Sequence, residues 1–251
     1  MAHLTVPPVD SRAVQERLLA VRARIAAAGG TEAVRIVAVT KGFGADAVLA
    51  ALAAGLADVG ESYAPELEDK ASALLSAATP APGGVDAQVS NDGVRWHFIG
   101  RLQSNKVRRL AGTVHLWQSV DRPSLVAELA RRAAGAGVLV QVNVSGEAQK
   151  GGCDPSDTGA LVGQALAAGL DVRGLMCVAA PGGNEAARPG FRLLRSLADE
   201  LGLDERSMGM SGDLEAAVEE GSTMVRVGGA LFGPRAAGGG GPRGGGTGLR
   251  H

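Results

Sequence analysis

The first residue with chemistry in it is Lys41. It closes the apolar run Ile36-Val37-Ala38-Val39-Thr40 and is followed by Gly42-Phe43-Gly44. Of the 25 basic residues, 21 are Arg and four are Lys: Lys41, Lys70, Lys106 and Lys150. Such an imbalance reads as a bias that replaces Lys by Arg wherever the two are equivalent. A retained Lys is then a candidate for work that Arg cannot do. Arg stays protonated, whereas Lys can lose its proton and attack a carbonyl. At the end of a buried run the amine is partly desolvated, which favours the neutral form that imine formation needs. The plain alternative is a loop lysine that reaches out to water.

A second group lies near the C-terminus. Met208-Gly209-Met210-Ser211-Gly212-Asp213 leads into a helical pattern, and Val225-Arg226-Val227-Gly228-Gly229 follows it. Ser211 is placed to cap the helix beside its free N–H groups. Paired glycines let the backbone approach an anion, and Arg226 adds a planar cationic donor. Asp213 could instead satisfy that helix end by itself. A lysine amine plus a phosphate cradle points to a phosphorylated aldehyde. Pyridoxal 5′-phosphate fits, and a Schiff-base aldolase acting on a sugar phosphate stays open. His97 alternates with Phe98 on a strand, where a histidine is more often a satisfied core residue than an acid or base. Tyr63 is the only tyrosine.

These residues need elements to position them. Short apolar runs recur at 35–40, 57–61, 95–100, 115–120, 138–144, 172–178, 206–210 and 223–228. Helical patterns fill 9–28 and the intervals between the runs. Strands that alternate with helices predict parallel pairing with right-handed crossovers. Eight of them in about 200 residues predict a closed α/β (β/α)8 barrel of the TIM type, with an open sheet as the alternative. In such a barrel the functional groups collect at the C-terminal ends of the strands, where Lys41 and the glycine pair fall. No long helix follows the eighth run, so the N-terminal helix is expected to fill that place. The barrel is expected over 9–235. Residues 79–94 read as a loop, and 236–251, half glycine, as a disordered tail.

Bulk properties narrow the classes. The 251 residues are 45% hydrophobic and 20% charged, enough for a sizeable core. A net charge of −1 argues against nucleic acid or acidic membranes as partners. There is no apolar run of membrane-spanning length and no secretory pattern at the start. Two cysteines make neither a disulfide framework nor a metal cluster. A cytoplasmic location and a monomer are expected.

Several stretches are long and ordered enough to carry a resemblance. They are VAVTK (37–41), GESYAPEL (60–67), WHFIGRLQSNK (96–106), QVNVSGEAQKGG (141–152), RGLMC (173–177) and MGMSGDLEAAVEEGSTMVRVGGALFG (208–233). The chain resembles the pyridoxal-phosphate homeostasis protein family over roughly 9–235. The resemblance implies a barrel like the N-terminal domain of alanine racemase, with pyridoxal 5′-phosphate held as an imine on Lys41. It implies a cofactor-binding set of Lys41, Ser62, His97, Met210, Ser211, Arg226, Gly228 and Gly229, with no catalytic residue and no metal. It further implies cofactor buffering and delivery, with PLP-dependent apoenzymes as partners.

Three departures stand out. Ser62 replaces the family's usual Asn, Gly229 its usual Thr, and Gly42-Phe43-Gly44 its T-K-P-like stretch. They are expected to keep binding but weaken it, with a looser loop after Lys41. Racemisation needs a second acid/base on the far face of the imine, which alanine racemase takes from a C-terminal β-domain that this sequence does not show. A carrier is therefore expected. A PLP-dependent racemase or weak transaminase is the alternative, and an interaction module with a vestigial site is a third reading.

Overall fold

In the computed structural model, described over residues 9–77, 93–147 and 150–234, eight strands close into one parallel barrel in sequence order. The strands are β1 (Arg35–Val39), β2 (Asp58–Glu61), β3 (Arg95–Phe98), β4 (Val114–Val120), β5 (Gly137–Val142), β6 (Asp171–Cys177), β7 (Glu205–Ser207) and β8 (Met224–Val227). The helices are α1 (Ser11–Ala27), α2 (Ala45–Ala53), α3 (Ala64–Ala77), α4 (Ser104–Leu110), α5 (Pro123–Arg132), α6 (Thr158–Ala167), α7 (Gly183–Glu200), α8 (Leu214–Glu219) and the four-residue α9 (Gly229–Phe232). The (β/α)8 barrel expected from the alternation is the fold. The expected tail at 236–251 and most of the expected loop at 79–94 lie outside the described residues.

Each strand is covered on both sides, so it reads as a nearly continuous apolar run. One set of side chains faces outward. Ile36, Ala38, Val225 and Val227 pack against α1, α2 and α8 through Val14, Val21, Ile25, Ala47 and Leu214. Trp96, Phe98, Trp117 and Val140 pack under α3 to α7. The other set fills the lumen, where Val37, Leu116, Leu139, Met176 and Met224 form a small apolar plug. Burying these side chains contributes about 1.5–3 kcal/mol each before chain entropy is subtracted. As expected, α1 takes the place of a long eighth helix. Arg17 on α1 donates to the Leu231 carbonyl of α9.

Above and below the plug the lumen is polar. At the N-terminal end Arg35 pairs with Glu205 at 2.7 Å and Arg95 with Asp58 at 2.7 Å. Burial alone would raise the Asp58 carboxyl, but hydrogen bonds from His97 and Arg95 outweigh it and hold the group well below the usual carboxylate range. Charge thus plugs the end of the barrel away from Lys41.

Candidate functional site

Register decides what meets at the mouth. On β1, Val37 lies in the lumen, so alternation carries positions 39 and 41 to the same side, and Lys41 comes out at the C-terminal rim, partly buried. Val37 pairs with Arg226 and Ala38 with Val227. Gly228 therefore lies beside Val39, and a Cβ built on it would sit 3.1 Å from the Val39 carbonyl oxygen. On the other flank, Val39 pairs with Gly60 of β2, and the Thr40 amide donates to the Gly60 carbonyl at 3.1 Å. Ser62 comes two residues later. Lys41, Ser62, Gly228 and Gly229 thus gather on the ends of the adjacent strands β2, β1 and β8. Met210 and Ser211 follow in the turn after the next strand, β7, with Met210 38% exposed.

The turn after β1 is firmly held. Gly42 adopts φ +76°, a region open to glycine at no steric cost, and its amide donates to Glu66 Oε2 at 2.9 Å. The Phe43 amide returns to the Thr40 carbonyl at 3.0 Å, and the Phe43 ring packs on Phe232 with centroids 5.4 Å apart. The Gly42-Phe43-Gly44 turn is tied to α3 by the Gly42 hydrogen bond and to α9 by the ring contact.

Beneath the turn lies a buried ionic cluster. Lys70 of α3 donates to Glu61 Oε1 at 2.5 Å and to the Thr40 carbonyl at 2.8 Å. The Thr40 hydroxyl donates to the same Glu61 oxygen at 2.5 Å. Burial pushes the Glu61 carboxyl up, against the pull of Lys70 and Thr40. Its second oxygen, Oε2, has no hydrogen-bond partner in the structure. Lys70, retained in an arginine-rich chain, thereby fixes the residue before Lys41. The sequence singled out Lys70 only as one of four lysines and gave Glu61 no role.

His97 and Arg226 sit one layer down, inside the barrel, and are tied into one network. The Gln118 amide nitrogen lies 2.6 Å from His97 Nδ1, and His97 Nε2 lies 2.9 Å from Asp58 Oδ1. With the amide donating to Nδ1, the ring proton is on Nε2 and faces the carboxylate. Ser207 donates to Gln118 Oε1 at 2.7 Å. Arg226 donates through Nη1 to the Ser207 carbonyl at 2.7 Å and hydroxyl at 2.8 Å, and through Nη2 to the Cys177 carbonyl at 2.6 Å. Burial pulls the Arg226 guanidinium below the usual arginine value. Both ring nitrogens of His97 are occupied, as a satisfied core histidine requires. The guanidinium of Arg226 clamps β6 and β7 from below the mouth, rather than reaching up beside the Gly228–Gly229 backbone.

The β7 turn also differs from expectation. Asp213, not Ser211, stands at the N-cap position of α8, and no side chain caps that helix. The Asp213 carboxylate instead accepts from the Met210 amide at 2.5 Å and closes the turn. The Ser211 carbonyl accepts from Arg24 of α1 at 2.9 Å, and Arg24 also grips Glu215 at 2.6 Å. That hydrogen bond holds the Glu215 carboxyl down at about 2. The Ser211 hydroxyl is therefore spared from capping.

The chain was compared with known proteins. Residues 9–236 match the family model described as alanine racemase, N-terminal domain. A pyridoxal phosphate homeostasis protein of Pseudomonas aeruginosa is 43% identical over 235 residues, covering 88% of this chain and 96% of that one. A human protein of the same name is 36% identical, covering 80% of this chain and 76% of that one. Among solved structures, PipY of Synechococcus elongatus with PLP bound superposes with a TM-score of 0.73 at 31% identity, covering 88% of this chain and all of that one.

Proposed function

The chain belongs to the pyridoxal phosphate homeostasis protein family, built on the alanine racemase N-terminal domain, and from that premise we propose that it binds pyridoxal 5′-phosphate at the barrel mouth and buffers and delivers it. The observation that carries the reading is the register that brings the end of β1, with Lys41, beside the end of β8, with the bare backbone of Gly228 and Gly229.

The residues present fit the group. A Cβ on Gly229 would meet nothing within 4 Å, so the space over this backbone is open. The donors around it are a primary amine, the uncapping Ser211 hydroxyl and backbone N–H groups, which suit an aldehyde and a phosphate. Bound pyridoxal phosphate supplies a carbonyl that a primary amine attacks reversibly. In this reading Lys41 provides the amine, Lys70 and Glu61 hold its strand end through Thr40, and Ser211, Gly228 and Gly229 receive the phosphate. Arg226 acts by fixing the β6–β7 carbonyls beneath them. His97 belongs to the same floor.

We read the protein as a carrier rather than a catalyst. Support comes from the relatives' shared name and from the engagement of His97, whose ring nitrogens are both spent on Asp58 and Gln118. The proposed setting is the cytoplasm, with PLP-dependent apoenzymes as recipients.

The test is an absorbance spectrum of purified protein before and after borohydride, followed by peptide mass spectrometry. A visible band that borohydride removes, with a pyridoxyl adduct on Lys41, is expected. Lys41→Ala should abolish both and leave the melting temperature unchanged, because one rim side chain is altered. A wild-type chain that shows no band with excess cofactor overturns the reading. Conversion of L-alanine to its D-isomer well above the rate of free cofactor would replace the carrier by a racemase.

A further inference from the structure

A cavity opens on the mouth side of the barrel, away from the glycine pair. It is a half-open cleft of about 740 Å³ between the ends of β2, β3 and β4. Its lining carries three cations, Arg101, Lys106 and Arg122, and no carboxylate. Arg122 is fixed in place, donating to Asp121 at 2.6 Å and to the Leu102 carbonyl at 2.7 Å. Among the described residues Arg101 and Lys106 enter no ion pair, so their charge is uncompensated there. Tyr63 and Gln103 add a hydroxyl and an amide, and Tyr63 is 46% exposed. The motif WHFIGRLQSNK supplies half of this wall, yet none of its residues beyond His97 enters the Lys41 site. Lys106 is also one of the four retained lysines.

A half-open cleft of this volume is that of a small-molecule site rather than a flat contact strip. A lining of donors with a net positive charge selects an anion with several acceptor oxygens. We propose that this cavity is a second binding site, for a phosphomonoester, held by Arg101 and Lys106 with Tyr63 against the organic part of the ligand. It borders the Lys41 site at Ser62, which lines it, but shares no residue with the glycine backbone or Arg226.

The experiment fixes the first site and counts the second. Full-length protein is loaded with pyridoxal phosphate and reduced with borohydride, so that Lys41 is blocked. Pyridoxamine 5′-phosphate, which has no aldehyde, is then titrated by calorimetry. One further equivalent is expected. The double variant Arg101→Ala/Lys106→Ala should bind it at least about tenfold more weakly, since charge-assisted contacts are lost, while keeping the reducible band on Lys41. Pyridoxamine without phosphate should not bind. Inorganic phosphate separates the two sources of the recognised group. Equal affinity assigns the site to free phosphate, and clearly weaker affinity assigns it to the ester, with Tyr63 contributing. No further equivalent, or equal binding by the double variant, overturns the proposal. Should Lys41 show no band at all, the carrier reading fails separately, and the comparison of wild type with the double variant on untreated protein still decides this one.

Discussion

The two sides of the Lys41 site are secured from opposite faces of the barrel wall. On the β1–β2 side the fastening lies outside the barrel, between strands and α3, where Lys70 reaches Glu61 and the Thr40 carbonyl. On the β7–β8 side it lies inside, where Arg226 reaches the carbonyls of Ser207 and Cys177. The outer fastening is an ion pair of two buried charges with one carboxylate oxygen unpartnered. The inner one is a single guanidinium that satisfies carbonyls and extends through Ser207 and Gln118 to His97 and Asp58. The first depends on mutual neutralisation, the second on donor count. A buried pair is costly to break by half but not to remove whole. A donor fork loses with each contact deleted.

That contrast is most sharply broken at Lys70. Lys70→Met leaves the Glu61 charge buried without its counter-ion and should destabilise the protein by about 3–5 kcal/mol. The double variant Glu61→Gln/Lys70→Met removes both charges and keeps an acceptor for Thr40, so it should recover most of the loss. Urea unfolding of the three proteins checks this. Equal instability of the single and double variants would show that packing of the Lys70 stem, not the charge, is what holds β1.

On the inner side a smaller effect is expected. Arg226→Met deletes hydrogen bonds from a charged donor to two carbonyls and one hydroxyl, and should cost about 1.5–3 kcal/mol. It should also release cofactor more readily, because the β7 turn loses its floor. Arg226→Lys restores charge but cannot span Ser207 and Cys177 together, and should recover only part of either loss. Full recovery by lysine would make charge, not the fork, the working feature. Cofactor retention unchanged in Arg226→Met would remove this residue from the site.

The legibility of these features follows the distance over which each is built. The barrel was readable because each strand is a short buried run and each helix a local period. Element edges were less so. The run at 206–210 is a strand only through Ser207, because Met208 to Asp213 turn, with Asp213 spent on the Met210 amide. Lys41 and the Gly228–Gly229 pair were visible in residue type, because a lone lysine at a strand end and paired glycines need no partner to be noticed. The clamp of Arg226 was not, since its partners Ser207 and Cys177 lie 19 and 49 positions away and nothing in either neighbourhood announces it. Lys70 was flagged by the scarcity of lysine, but its role required knowing that Glu61 points away from the lumen.

The smallest effect sharpens the comparison through pH. Arg24 of α1 ties the Ser211 turn to Glu215, and that contact holds the Glu215 carboxyl at about 2, against an ordinary value of 4.5. A depressed carboxyl contributes stability that is fully present above its ordinary value and is lost as pH falls through the folded one. The β7–β8 side should therefore weaken between about pH 4.5 and 2, with Asp58, also depressed, acting in the same direction. Glu61 is shifted the opposite way by burial, so its charged form is the disfavoured one and acidification does not cost the β1–β2 side in the same manner. Glu215 is itself about one-third exposed, so solvent screens the pair and its share is modest. Melting temperature followed across this window should fall less steeply in Glu215→Gln than in wild type, because the variant has no proton to take up there. Parallel curves for the two proteins would mean that the Arg24 contact holds the turn by packing and hydrogen bonding to the Ser211 carbonyl alone, with the carboxylate a bystander.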